Sequence, residues 1–198
     1  MIWFEILKIV LAGGLLGYVV GVLIVQRPYY LNRVRPKFWM RIAKKMKVRD
    51  WAMLISALYV FTVLTYFVIT YSSDFIGRFW ALYSSEEYVF SQIETASPLL
   101  LLIMVTLIPV IEEWVFRGIL QEEISRRLRS RAAGLVVAAF VFALFHLSNP
   151  GTYPAAVLPL FFGGLMFGIC YMRIGLASAI LCHSAYNFIL VLPLVLGI

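Results

Sequence analysis

The sequence alternates between apolar runs of about twenty residues and short charged connections, and a chain written this way has few folds open to it. A bilayer core about 30 Å thick is crossed by roughly 20 apolar residues in a helix. Only helices and closed barrels satisfy their backbone groups there. The composition leaves no soluble alternative: 63% of the 198 residues are hydrophobic and 14% are charged, against about half and a quarter in ordinary globular domains. The expected fold class is therefore all-α, a polytopic transmembrane helix bundle of about six spans.

The spans are expected over residues 2–25, 51–71, 98–121, 132–147, 154–172 and 176–196. Glu5 and Lys8 sit where a secretory leader would carry only positive charge, so the first run reads as a retained helix. Gly13, Gly17 and Gly21 recur along it at every fourth position, a stripe that lets another helix approach closely. Gly164 and Gly168 form a second such pair in the fifth span.

The basic residues gather in the connections and set the orientation. Residues 26–50 carry Arg27, Arg33, Arg35, Lys37, Arg41, Lys44, Lys45, Lys47 and Arg49 against Asp50 alone. Arg126, Arg127, Arg129 and Arg131 follow the third span, and Arg173 with Gly175 makes the short turn after the fifth. These belong on the cytoplasmic side, with both termini opposite. The acidic connection holding Asp74, Glu86, Glu87 and Glu94 against Arg78, and the Ser148-Asn149-Pro150-Gly151 turn, then fall outside. Phe38, Trp39, Ile42 and Met46 interleave with the basic residues and could also lay the first connection along anionic headgroups. The net charge of +7 is thus a membrane signal, and nucleic acid is not an expected partner. The expected location is the cell membrane, as a multi-pass protein.

Ionisable groups inside apolar helices are costly and mark function. Glu112, Glu113 and Arg117 lie in the third span, His146 in the fourth, and His183 with Asn187 in the sixth; the histidines are the only two in the chain. Glu113 and Arg117 stand four apart with the acid first, the order that favours an ion pair on one helix face. Glu112 points about 100° away, which leaves it available for chemistry. His183 and Asn187 also stand four apart, so both can donate to one acceptor as an oxyanion hole. Phe142 precedes His146 by one turn and shapes its pocket. Cys170 and Cys182 have neither disulfide-framework nor metal-ligand spacing and read as packed thiols. A nucleophilic Cys182 is disfavoured because the adjacent His183 diverges from it by about 100°.

Three blocks result: Glu112-Glu113-Trp114-Val115-Phe116-Arg117, Phe142-Ala143-Leu144-Phe145-His146 and His183-Ser184-Ala185-Tyr186-Asn187. Together, over residues 98–193, they resemble the CAAX prenyl protease 2 and bacteriocin-processing family of intramembrane glutamic endopeptidases, whose pattern is E-E-x-x-x-R, F-x-x-x-H and H-x-x-x-N. The resemblance implies that Glu112 and His146 activate water, that His183 and Asn187 stabilise the oxyanion, and that Glu113, Arg117 and Phe142 support them. It also implies a membrane-associated peptide or prenylated protein as substrate. No metal or other cofactor is expected.

Residues 1–97 then form two N-terminal helices with a basic connection, and residues 98–198 form a four-helix protease core. A zinc protease using Glu112, His146 and His183 as ligands is the nearest alternative, but the H-E-x-x-H helix is absent. A bacteriocin-immunity or peptide-binding protein without activity is the other.

Overall fold

Apolar runs that cannot leave backbone groups unpaired in lipid become helices, and every regular element of the computed structural model is helical among the described residues. Those residues are 2–35, 37–38, 40, 44, 47–79, 98–149, 152 and 156–196. Glu86, Glu87 and Glu94 lie outside them, as do Pro150 and Gly151. Helix α1 spans Ile2–Gln26 and is followed by a 3-10 helix over Pro28–Val34. Helix α2 spans Val48–Phe79, longer than the apolar run alone predicts, and α3 spans Pro98–Glu113. A π-helical segment, Trp114–Gln121, continues α3 directly into α4, Glu122–Arg127. Helices α5, α6 and α7 cover Arg131–His146, Val157–Ile174 and Leu176–Leu196.

By length and apolar composition, Ile6–Gln26, Val48–Val68 and Val157–Ile174 can each cross a membrane, while Arg131–His146 and Leu176–Ile189 are shorter apolar helices. The first two are exposed over most of their length. Apolar side chains such as Leu15, Val25, Ile55 and Tyr59 face outward, as lipid-facing surface does in a bilayer. Helix α5 packs on α6, α3 on α7, and α2 against both α6 and α7. The core joins α1 to the later helices through Val20, Leu23, Tyr30, Phe116, Phe142, Phe167 and Tyr186.

Two turns fix the later helices. Between α4 and α5, Arg129 adopts φ 51°, Ser130 N–H donates to the Ser125 carbonyl at 3.1 Å, and the Ser130 hydroxyl accepts from Ala133 N–H at 3.2 Å as an N-cap. Between α6 and α7, Gly175 has φ 111°, a conformation that glycine alone adopts without strain.

Two expectations need correction. Nothing lies within 4 Å of where a Cβ would sit on Gly13, Gly17 or Gly21, so among the described residues the α1 stripe receives no helix. Helix α1 instead meets the core through Leu16, Val20, Leu23 and Ile24. The first basic connection is not simply a loop: residues 28–34 fold back onto the protein, with Tyr30 fully buried. Gly164 does behave as a close-packing residue, since a Cβ there would stand 3.1 Å from the Ala139 backbone.

Candidate active site

Glu112 and Glu113 are the last residues of α3, three and four positions after Pro109, which lies inside the helix. Proline removes a backbone donor there. The chain then passes into the π segment at Trp114. Such segments are rare and frequent at functional sites, and nothing in the apolar pattern of this span foretells one.

Arg117 and Glu113 are wholly buried and paired, with Arg117 Nη1 donating to Glu113 Oε1 at 2.9 Å. Arg117 Nη2 donates to the Gly164 carbonyl at 3.0 Å, a contact that the missing side chain of Gly164 makes room for. The guanidinium lies 4.4 Å from the Phe142 ring centroid and 5.6 Å from that of Phe167. A buried charge is tolerated when paired and hydrogen-bonded in this way.

His183 joins the same carboxylate. Its Nδ1 lies 2.8 Å from Glu113 Oε1; the carboxylate accepts, so Nδ1 is the protonated nitrogen and Nε2 is the one presented to Glu112, at 3.6 Å from Oε2. Phe167 stacks on the imidazole at 4.4 Å and 15°, which fixes the ring plane. His146 is oriented by its own helix: Nδ1 donates to the Phe142 carbonyl at 2.8 Å, and Nε2 lies 3.9 Å from Glu112 Oε1. Phe142 touches both imidazoles, with centroids 4.3 Å from His146 and 5.9 Å from His183.

Each Glu112 oxygen thus faces the Nε2 of a different histidine, beyond direct hydrogen-bond length. Glu112 is 20% exposed at its side chain, whereas both histidines are at 6% and Glu113 is at 0%. Asn187 is buried on α7, one turn beyond His183. Four carriers of the sequence motifs, Glu112, Glu113, His146 and His183, therefore meet from α3, α5 and α7, with Arg117 and Phe142 packed beneath them.

The description "Type II CAAX prenyl endopeptidase Rce1-like" matches residues 94–189. Over this stretch the chain is similar to the Rce1-like family. No curated protein and no solved structure matches the chain. That similarity points to a protease in a membrane setting.

Several contacts of the matched stretch are not written in its motifs. Phe167 and Gly164 arrive from α6, and only the spacing of Gly164 and Gly168 hinted that this helix approaches closely. Cys170 and Cys182, from α6 and α7, are free thiols in buried contact, Sγ to Sγ 3.3 Å. Among the described residues, no group of three or more His, Cys, Asp or Glu side chains gathers as a metal ligand set.

Proposed function

We propose that the protein is an intramembrane endopeptidase in which Glu112 is the general base and His146 helps it hold the attacking water. The supporting observation is the placement of Glu112 between the Nε2 atoms of His146 and His183 at 3.9 and 3.6 Å. A water there would donate one proton to Glu112 and could donate the other to Nε2 of His146, whose Nδ1 proton is committed to Phe142. Its oxygen is then free to attack a peptide carbonyl, and Glu112 takes up the proton.

As the tetrahedral oxygen gains charge, His183 Nε2 and Asn187 Nδ2 are the proposed donors to it. For His183 to donate at Nε2 while Nδ1 is held by Glu113, the ring must carry both protons. Donors already oriented toward the developing oxyanion contribute about 3 to 4 kcal/mol each in comparable sites. Glu112 then returns its proton to the leaving amine.

The substrate we assign is a membrane-associated or prenylated peptide, and the chain is placed in the cell membrane with six crossings. The end of α1 and the α4–α5 turn share one end of the bundle, where Arg127 Nη2 donates to Gln26 Oε1 at 3.4 Å and Arg27 pairs with Glu123 at 3.4 Å. That shared end is proposed as cytoplasmic. Residues 1–97 are assigned to the two N-terminal helices and residues 98–198 to the protease core.

Purified protein in detergent should cleave a quenched fluorogenic peptide carrying a farnesylated cysteine, and should do so undiminished through a chelator series. Activity abolished by a strong chelator and restored by zinc alone would replace this mechanism with a metal-dependent one.

A further inference from the structure

The 3-10 segment Pro28–Val34 lies outside the residues that match the family, yet it is bolted to the π segment that carries Arg117. Tyr30 donates its hydroxyl hydrogen to Glu123 at 3.1 Å, and its carbonyl accepts from Trp114 Nε1 at 3.0 Å. Arg33 reaches three elements at once. Its Nη1 donates to the Gly118 carbonyl at 3.0 Å and to the Tyr171 hydroxyl oxygen at 3.0 Å, and its Nη2 pairs with Glu122 Oε2 at 2.5 Å. Tyr171 in turn donates to the same Glu122 oxygen at 2.7 Å. One guanidinium therefore links the π segment, α4 and α6.

We propose that Arg33 is a positioning residue of the active site, holding the π segment in the register that presents Glu112 and Glu113 to the histidines. Gly118 follows Arg117 directly, and Arg117 is bonded to the Glu113 oxygen that also orients His183. A shift of the Gly118 carbonyl therefore moves both. A planar fork can serve the carbonyl, the hydroxyl and the carboxylate together, whereas an ammonium offers one point of charge. Displacements of about 1 Å, even from changes far from the chemistry, can lower turnover by about 100-fold. This inference rests on the reading of Glu112 as the base.

The test uses the full-length chain in detergent: wild type, Arg33→Gln, Arg33→Lys, Tyr171→Phe and Glu112→Gln, assayed on the farnesylated fluorogenic peptide once wild-type turnover is established. Arg33→Gln is expected to lower kcat by about 10- to 100-fold with KM within about twofold. Arg33→Lys should recover only part of kcat, and Tyr171→Phe should lower it in the same direction by less. A fall in thermal midpoint with kcat per folded molecule unchanged would make Arg33 merely structural and overturn the inference. If Arg33→Gln does not fold, Arg33→Lys and Tyr171→Phe carry the same comparison, and wild-type kcat in both overturns it equally. Glu112→Gln separates the two failures. A Glu112→Gln protein that cleaves normally removes the reading on which the inference stands, whereas an inactive Glu112→Gln beside an Arg33→Gln of normal kcat removes the inference alone.

Discussion

Glu113 serves two partners with one oxygen, accepting from Arg117 at 2.9 Å and from His183 at 2.8 Å. Replacing it with glutamine leaves a fully buried guanidinium without its counter-charge, a change that costs roughly 3 to 5 kcal/mol. Glu113→Gln should therefore melt well below wild type and lose activity as His183 loses its anchor; a wild-type melting temperature would refute the pairing. Half of this was legible in the sequence, because an acid four residues before an arginine in an apolar helix has no better neighbour. The bond to His183 was not, since it joins residues seventy apart and depends on how α7 crosses α3. Phe167 escaped for the same reason: it shares a helix with none of the motif residues, so no spacing could connect it to His183. Arg33 was hidden among many basic residues that all read as orientation signals.

At the level of helices, apolar runs gave the elements themselves but neither their regularity nor their neighbours. The π segment continues directly from the α-helix before it, with no turn residue between them to mark the change. The two kinds of glycine in the chain make the distinction testable. A Cβ on Gly134 would stand 1.9 Å from Ser125 Oγ and 2.7 Å from the Gln121 carbonyl; the hydroxyl can rotate away, but the carbonyl belongs to the π segment and cannot. Gly134→Ala should destabilise the α4–α5 hairpin by about 1 to 3 kcal/mol. Gly17→Ala, with nothing within 4 Å, should be neutral or stabilising by up to about 1 kcal/mol through helix propensity. Thermal melts of the two variants check this, and a Gly17→Ala protein as damaged as Gly134→Ala would mean that a helix does occupy the α1 stripe.

For the molecule as a whole, the charged end of the bundle links stability to pH. Burial of Glu123 opposes its ionisation, but hydrogen bonds from Arg126, Arg127 and Tyr30 outweigh that and hold its carboxyl down at about 2, from an ordinary value of 4.5. A depressed folded value gives stability that is complete above the ordinary one and lost on acidification toward the folded one. The wild-type melting temperature should therefore fall between about pH 4.5 and 2, and Glu123→Gln should lack that part of the fall; identical pH profiles would contradict the assignment. The same end should be cytoplasmic: a cysteine introduced at Leu128, which is 57% exposed, should resist an impermeant thiol reagent in intact cells and react once the membrane is opened, and labelling from outside would invert the topology. Basic clustering alone proposes that orientation, whereas the distances that bring two glutamates and two histidines together required the helices to be assembled. Glu112 carries the proposed chemistry. Its side chain strands no partner charge, so Glu112→Gln should fold and melt like wild type, yet an amide cannot accept the proton from water. Turnover of the farnesylated fluorogenic peptide, measured on the same detergent samples as the melts, should be largely abolished in Glu112→Gln; normal cleavage by that variant, beside a stable but inactive Glu113→Gln, would make the second glutamate the base.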